Sequence, residues 1–537
     1  MQRRTFFKTA ALGGGALAFS TVISCKSVIR PEENEPVSVG PFELDEMTID
    51  QLQEKMASGE LSSEEITKKY LSRIAEIDQA GPTLRSVLET NPDALEIARE
   101  MDRERKAGKT RGPLHGIPVM IKDNIDTADR MQTTAGSLAL SGFRAPKDAF
   151  IVSRLRESGA VLLGKTNLSE WANIRSTRSS SGWSGRGGQV LNPYILDRNP
   201  CGSSSGSAVA VTANLCTIAI GTETDGSIVC PSGTNGIVGI KPTLGLWSRF
   251  GIVPIAHSQD TAGPMARTVR DAAYLLGALC GMDHADTATE NSKGNCHPDY
   301  TVFLDTKGMV GARIGFITDF MGFHPGVDEV MKSAFGVMKD LGAELVEVEC
   351  AKERSNWNEA EWQVLLYELK HDLNNYLAER PGAPMRSLAE IIAFNEAHPA
   401  EEMPWFGQEI FLEAEAKGGL DAKEYQDALA LSQKLTREII STRMAEHHLD
   451  CLVAPTNAPA WTTDWVNGDH YVGGSSDLAA ISGYPAITVP AGWVHDLPVG
   501  ISLIGKAWTE PVLLKIAYAF EQASNNRRKP SLRESLK

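Results

Sequence analysis

Serine and lysine are the residues whose spacing could carry chemistry in this chain. Gly202-Ser203-Ser204-Ser205-Gly206 satisfies G-x-S-x-G, the pattern of a sharp strand-to-helix turn that would present Ser204 as a nucleophile. That turn needs a hydrophobic strand leading into it, and Leu196-Asp197-Arg198-Asn199-Pro200-Cys201 is not one. A phosphate-cradling loop would need a lysine after its last glycine, where Ser207 stands. A second cluster, Gly221-Thr222-Glu223-Thr224-Asp225-Gly226-Ser227, reads as a turn, and Lys122 follows the apolar run Ile117–Ile121. A serine hydroxyl is nearly inert until a base takes its proton. Free lysine, with a pKa near 10.4, is charged at neutral pH and cannot be that base. Lowering it to roughly 7–8 takes on the order of 4 kcal/mol of preference for the neutral amine. Burial at the end of an apolar strand supplies that sign of perturbation, because desolvation disfavours the ammonium.

Metal and thiol chemistry have no comparable pattern. The 11 histidines offer no HExxH, and adjacent His447 and His448 would point about 100° apart on a helix. Beyond Cys25, the cysteines at 201, 216, 230, 280, 296, 350 and 451 contain no CxxC pair. Seven is an odd number with no framework spacing, so buried thiols are expected rather than disulfides.

Three segments taken together resemble the amidase signature family: Gly116-Ile117-Pro118-Val119-Met120-Ile121-Lys122-Asp123-Asn124, the loop at 202–206, and Gly221–Pro231. Their order and spacing agree with it. Lys122 lies 227 − 122 = 105 residues before Ser227, and Ser203 lies 227 − 203 = 24 before it. The likeness continues through Thr133–Ser137, Ser258–Met265, Asp450–Thr456, Gly483–Gly492 and Leu497–Gly505, and so covers most of residues 45–525. Many members carry Gly-Ser-Asp-Thr-Gly-Gly-Ser at the nucleophile turn. Here Glu223 and Asp225 replace the usual Asp and Gly, and Thr224-Asp225-Gly226-Ser227 is similar to the bacterial peptide amidase branch.

The resemblance implies a Ser-cisSer-Lys triad, with Ser227 the acyl-forming nucleophile, Ser203 the bridging hydroxyl and Lys122 the base. It also implies an oxyanion hole from the backbone N–H groups of Thr224, Asp225, Gly226 and Ser227. Gly202 and Ser204 would support the loop, Ser204 by hydrogen bonding rather than by reacting. Asp123 is the charge best placed to spoil a neutral Lys122, so its carboxylate is expected to face elsewhere. The role of the Asp225 side chain stays open between substrate wall and structural group. No metal or organic cofactor is implied.

The elements that must hold these residues read as α/β. Ile49–Asp78 and Pro92–Lys109 have helical character, the first interrupted at Ser62, which with Glu65 fits a capping box. Ile117–Ile121, Ala160–Leu163 and Cys216–Ile220 are strand candidates, with Ser153–Ser158 and Ser207–Leu215 helical between them. Arg175–Gly206 is an irregular Ser/Gly-rich stretch with Trp183 and Tyr194 set into it, and long loops in compact domains are usually functional. Asp283–His324 reads as loop, and Val327–Leu341, Glu359–Leu377 and Asp421–His447 as amphipathic helices. The family fold would be a single α/β domain over 45–530, a large mixed β-sheet sandwiched between α-helices. Its core would lie near 115–270 and 450–505, with helices of 325–445 walling the cleft.

The chain has 537 residues, 53 Lys+Arg and 68 Asp+Glu, for a net charge of −15. That acidity argues against nucleic acid as a partner, and no apolar run is long enough for a transmembrane bundle. Arg3-Arg4, the short apolar run Ala10–Ile23 and Ser24-Cys25 read as an export signal over 1–25 of twin-arginine type. Val22-Ile23-Ser24-Cys25 resembles a lipobox, which would acylate Cys25 and anchor the protein to a membrane. Residues 26–44 then read as a tether, and the protein as periplasmic or membrane-anchored. The functional expectation is an exported serine amidase releasing ammonia from small carboxamides, C-terminal peptide amides first among them. The alternatives are a general small-molecule or aryl amide hydrolase, the A subunit of a tRNA-dependent amidotransferase, and a catalytically silent binding lipoprotein on the same scaffold. Export argues against the amidotransferase, and intact Lys122, Ser203 and Ser227 against the silent binder.

Overall fold

The computed structural model describes residue 37 and residues 39–536. The export signal, the lipobox and Cys25 lie outside the described residues. Eleven strands form one mixed sheet: β1 (Val87–Thr90), β2 (Pro118–Lys122), β3 (Val161–Thr166), β4 (Ile218–Glu223), β5 (Val238–Lys241), β6 (Thr261–Ala266), β7 (Arg313–Ile317), β8 (Glu344–Val348), β9 (Cys451–Pro455), β10 (Ala486–Val494) and β11 (Leu497–Ile504). Their order across the sheet is β1-β3-β2-β4-β6-β5-β10-β11-β9-β7-β8. β2 lies parallel between β3 and β4, β4 pairs antiparallel with β6, and β7 pairs parallel with both β9 and β8.

The central strands are buried along their whole length, which is why β2, β3 and β4 read as apolar runs rather than as alternating ones. Helices cover both faces as the sequence expects. Ser62 caps the helix Ser63–Arg73 in a capping box with Glu65, and Thr48 with Gln51 forms another at Ile49–Ser58. The helices Pro325–Asp340, Arg354–Ala378 and Lys423–Glu446 supply the outer layer over 325–446. Among the described residues no helix is long and apolar enough to cross a membrane.

Several expectations need correction. The strand expected at Cys216–Ile220 runs instead over Ile218–Glu223, so Gly221, Thr222 and Glu223 belong to β4 and not to the turn. The polar segment after β2 is itself buried at Asp123, Asn124, Asp126 and Thr127. Leu44, assigned to the tether, is fully buried, and Phe42 packs its ring 5.6 Å from that of Tyr70. At the other end Arg533 lies in a parallel bridge with Ile195, beyond the boundary at 530. The cysteines differ most. Cys201–Cys230 and Cys280–Cys296 are disulfides, with Cα atoms 6.1 and 6.0 Å apart, and among the described residues Cys216, Cys350 and Cys451 alone are buried thiols. Sequence spacing gave no clue because loop packing, not regular spacing, sets these pairs.

Candidate active site

Lys122 is the last residue of β2, and its side chain is fully buried. Its Nζ lies 2.8 Å from Ser203 Oγ, 2.8 Å from Thr222 Oγ1 and 3.1 Å from Ser204 Oγ. Desolvation pushes its pKa down to about 7, against the opposing pull of the Asp260 and Glu223 carboxylates. Lys165 and Lys241 are buried too. Their amines, however, bond Ile125 O and Thr133 Oγ1, and Pro242 O and Tyr484 O, respectively. Of these three lysines Lys122 alone meets the serine loop.

Asp123 faces elsewhere, as expected. It lies in the turn that follows β2, and its carboxylate meets Arg186 Nη1 at 3.2 Å and the Thr134 hydroxyl.

The Gly202–Ser203 peptide bond is cis. Ser203 and Ser204 are fully buried. Ser204 stands before the helix Ser205–Thr212, donating to Thr222 O at 3.0 Å and accepting from Thr222 N–H at 3.1 Å. Its hydroxyl is thus spent on tying the loop to β4, which removes it as a nucleophile. Gly202 and Gly206 leave no room for a side chain: a Cβ at 202 would fall 2.2 Å from Ser169 Oγ, and one at 206 2.3 Å from Ser86 O.

Ser227 follows β4 and the turn at 224–226, where Gly226 has φ 76°. Its backbone carbonyl accepts from Ser204 N–H at 3.1 Å, and the Cys201–Cys230 disulfide joins the same two segments. Its hydroxyl has no hydrogen-bond partner among the described residues, and no bond between it and Ser203 Oγ is formed. The N–H groups of Asp225, Gly226 and Ser227 likewise have no acceptor among the described residues. Carboxylates fix this turn from both sides. Glu223 Oε2 accepts from the N–H groups of Ile228 (2.7 Å) and Val229 (3.0 Å), and Asp260 Oδ1 accepts from Thr224 Oγ1 at 2.5 Å.

A cavity of about 270 Å³ opens over the turn, lined by Gly202, Asp225, Gly226, Asn173, Trp461 and the Cys201–Cys230 pair. Beside it Gln259 Nε2 donates to Glu361 Oε1 at 2.8 Å, from the helix Arg354–Ala378. Desolvation drives the carboxyls of Asp225 and Glu361 upward; the Asp477 charge adds to the rise at Asp225, and the Asp225 charge to that at Glu361. Among the described residues His257, Glu368 and Asp372 bring potential metal-ligand atoms within 4.8 Å of one another. Those oxygens already serve His257 Nδ1 (2.9 Å), Ser258 N–H (2.9 Å) and the Tyr425 hydroxyl (2.7 Å).

The site therefore gathers Lys122, Ser203, Ser204, Gly202 and the 224–227 turn on adjoining elements. Sequence reasoning gave no role to Thr222, Glu223, Asp260 or Glu361. Thr222 and Glu223 were hidden by reading the end of β4 as turn, and the other two approach from elements distant in sequence.

A family profile described as Amidase matches residues 65–514. A probable amidase of Arabidopsis thaliana is 43% identical over 497 residues, covering 91% of this chain and 92% of its own length. Among solved structures, native peptide amidase from Stenotrophomonas maltophilia is 51% identical with a TM-score of 0.88, over 91% of this chain and 99% of that one. The peptide amidase PAM in complex with the competitive inhibitor chymostatin is 52% identical with a TM-score of 0.89, over 91% and 100%.

Proposed function

The chain belongs to the Amidase family and is a hydrolase of amide C–N bonds, and from that premise we propose that it cleaves C-terminal carboxamides of short peptides through an acyl-enzyme on Ser227. Neutral Lys122 takes the proton of Ser203 as Ser203 takes that of Ser227. Ser227 Oγ bonds to the carbonyl carbon, and the oxygen gathers charge against the N–H groups of the 224–227 turn. The proton returns along the same path to the nitrogen, the C–N bond breaks and ammonia departs. Water then attacks the acyl carbon by the same steps, giving the free acid and restoring the serine.

The observation that carries this reading is the buried Lys122 amine 2.8 Å from Ser203 Oγ, with its pKa near 7. A base that is half neutral at physiological pH, touching a hydroxyl beside the nucleophile segment, is what general-base catalysis requires. The three turn N–H groups without acceptors support the oxyanion role. The peptide substrate is supported by the likeness to peptide amidase and by a cavity large enough for a terminal residue. Ammonia release from an N-acylated dipeptide amide tests it. Ser227→Ala should abolish turnover, and Lys122→Ala and Ser203→Ala should each lose most of the rate. A Lys122→Ala enzyme that kept its rate would overturn the mechanism, and turnover confined to aryl amides would overturn the substrate.

A further inference from the structure

The cavity over the nucleophile turn, about 270 Å³, has room for a terminal residue and its carboxamide. A peptide bound there carries the rest of its chain out over the rim, advancing about 3.3–3.6 Å per residue, so the preceding side chain comes down just outside. The surface at the rim is apolar. Tyr471 lines the cavity and is also 47% exposed. Its ring meets that of Trp461, another wall residue, edge-on at 5.8 Å. Trp465 Nε1 donates to Gln189 Oε1 at 3.1 Å, and Gln189 Nε2 donates to the carbonyl of Ser181, a third wall residue, at 2.8 Å. Trp465 is thus two hydrogen bonds from the cavity wall, and it stacks on Trp405 with ring centroids 4.6 Å apart and planes at 19°. The two indoles are 40% and 45% exposed, and Val466 and Val472, in the same segment between β9 and the helix Asp477–Ser482, are exposed as well. Single exposed apolar side chains are ordinary, whereas five of them continuous with a binding cavity mark a contact surface.

We propose that Trp405 and Trp465, with Tyr471 at the rim, form a shelf for the side chain of the residue that precedes the amide-bearing one, and so select peptide amides with an aromatic residue at that position. The inference rests on the peptide-amide reading and deepens it. The shelf is fixed before substrate arrives. Trp465 is held at its indole N–H, and Trp405 precedes Phe406, whose buried ring meets Trp183 edge-on at 5.2 Å and lies 4.4 Å from the Arg175 guanidinium. An indole pair set in this way loses little side-chain freedom on binding and offers an outer face to an aromatic ring. The charges around it favour a peptide over a lipid surface as the occupant. Segments 399–408 and 456–476 contain no Lys or Arg and carry Glu401, Glu402, Asp464 and Asp469. Arg198, which donates to Thr462 Oγ1 at 2.8 Å, is paired with Asp197 at 3.1 Å. Surfaces that dock on anionic membranes combine an apolar face with basic residues, and here the flanking charges are acidic.

The test compares kcat/KM for ammonia release from two amides that differ only at the preceding residue, N-acetyl-Phe-Ala-amide and N-acetyl-Gly-Ala-amide. The enzymes are wild type, Trp405→Ala, Trp465→Ala, Trp465→Phe and, as a control, Val302→Ala, whose side chain is exposed on a different segment. Wild type should prefer the Phe peptide about tenfold, the scale of one aromatic contact with the area it buries. Each alanine variant at 405 or 465 should reduce that preference to about twofold, through a higher KM for the Phe peptide at unchanged kcat, because the shelf is touched equally before and during reaction. Trp465→Phe should keep most of the preference and Val302→Ala all of it. Turnover of the Gly peptide should be the same throughout, which reports that each variant has folded. A wild type with no preference, a preference that survives both alanine variants, or rates for the two peptides falling in parallel would overturn the proposal. So would co-sedimentation with phosphatidylglycerol vesicles, or self-association in sedimentation velocity, that the alanine variants abolish, since the surface would then belong to lipid or to a second copy. All of these outcomes leave the amidase reading standing. A wild-type enzyme that releases no ammonia from either peptide would sink that reading, and the shelf with it.

Discussion

Replacing Lys122 by methionine should make the protein more stable while destroying its activity, and the gain should depend on pH in a defined way. The amine is fully buried, with a pKa of about 7 against an ordinary value of 10.5. The folded state therefore holds the proton less tightly than the unfolded chain does. Between pH 7 and 10.5 the unfolded state binds the extra proton, so this group's contribution to stability rises with pH through that window. Below pH 7 the penalty is complete, on the order of 5 kcal/mol, and above 10.5 it vanishes. Methionine carries no such penalty. It does forfeit the contacts to Ser203 and Thr222. Thr222 Oγ1 still accepts from Asn124 Nδ2 at 3.0 Å, so Ser203 is the hydroxyl left without a partner, at roughly 1–3 kcal/mol. The net expectation is a gain of roughly 2–4 kcal/mol at pH 6, shrinking by about 1.4 kcal/mol for each pH unit above 7. Urea midpoints of wild type and Lys122→Met at pH 6, 7.5 and 9, with disulfides intact, measure it. A stability difference that stayed constant over that range would mean that Lys122 titrates as an ordinary lysine, and the argument for a neutral base would fail.

Two further outcomes follow from the geometry around the nucleophile. Replacing Cys201 and Cys230 by serine together should cost roughly 3–4 kcal/mol, the loop-closure value for a separation of 29 residues. It should also lower kcat/KM, because that disulfide joins the Ser203 loop to the Ser227 segment; thermal unfolding and ammonia release check the two effects. Glu223→Gln should weaken the bonds to the Ile228 and Val229 N–H groups and lower the rate several-fold. It also removes a charge that raises the Lys122 pKa, so the rising limb of the pH–rate profile should move to lower pH.

Much of this site was legible because local chemistry and loop composition agree. The Ser62–Glu65 capping box appears where its spacing puts it, and the apolar run Ile117–Ile121 is a buried strand displaced by one residue, Pro118–Lys122. A lysine at the end of such a strand is desolvated by position alone. The failure of the G-x-S-x-G motif was legible too, since no strand precedes Ser204. What stayed hidden depends on tertiary contact. Thr222 looked like turn because Gly221 and Asp225-Gly226 surround it, yet pairing of β4 with β6 through Glu223↔Thr261 extends the strand across it. The disulfide between Cys201 and Cys230 joins two irregular loops, whose approach no periodicity encodes. Glu361 comes from a helix more than 130 residues beyond Asp225, and only packing of that helix brings its carboxyl to Gln259 and into range of the Asp225 charge.

The account depends above all on a neutral amine at 122 drawing a proton through Ser203 from Ser227. The most direct measurement is the pH dependence of acylation by a mechanism-based serine probe, followed by intact mass and mapping of the modified peptide. The predicted result is a single adduct on Ser227, formed at a rate that rises with pH to a plateau about a midpoint near 7, with the rise lost in Lys122→Ala. An adduct on Ser204, or the same rising limb persisting without Lys122, would contradict it.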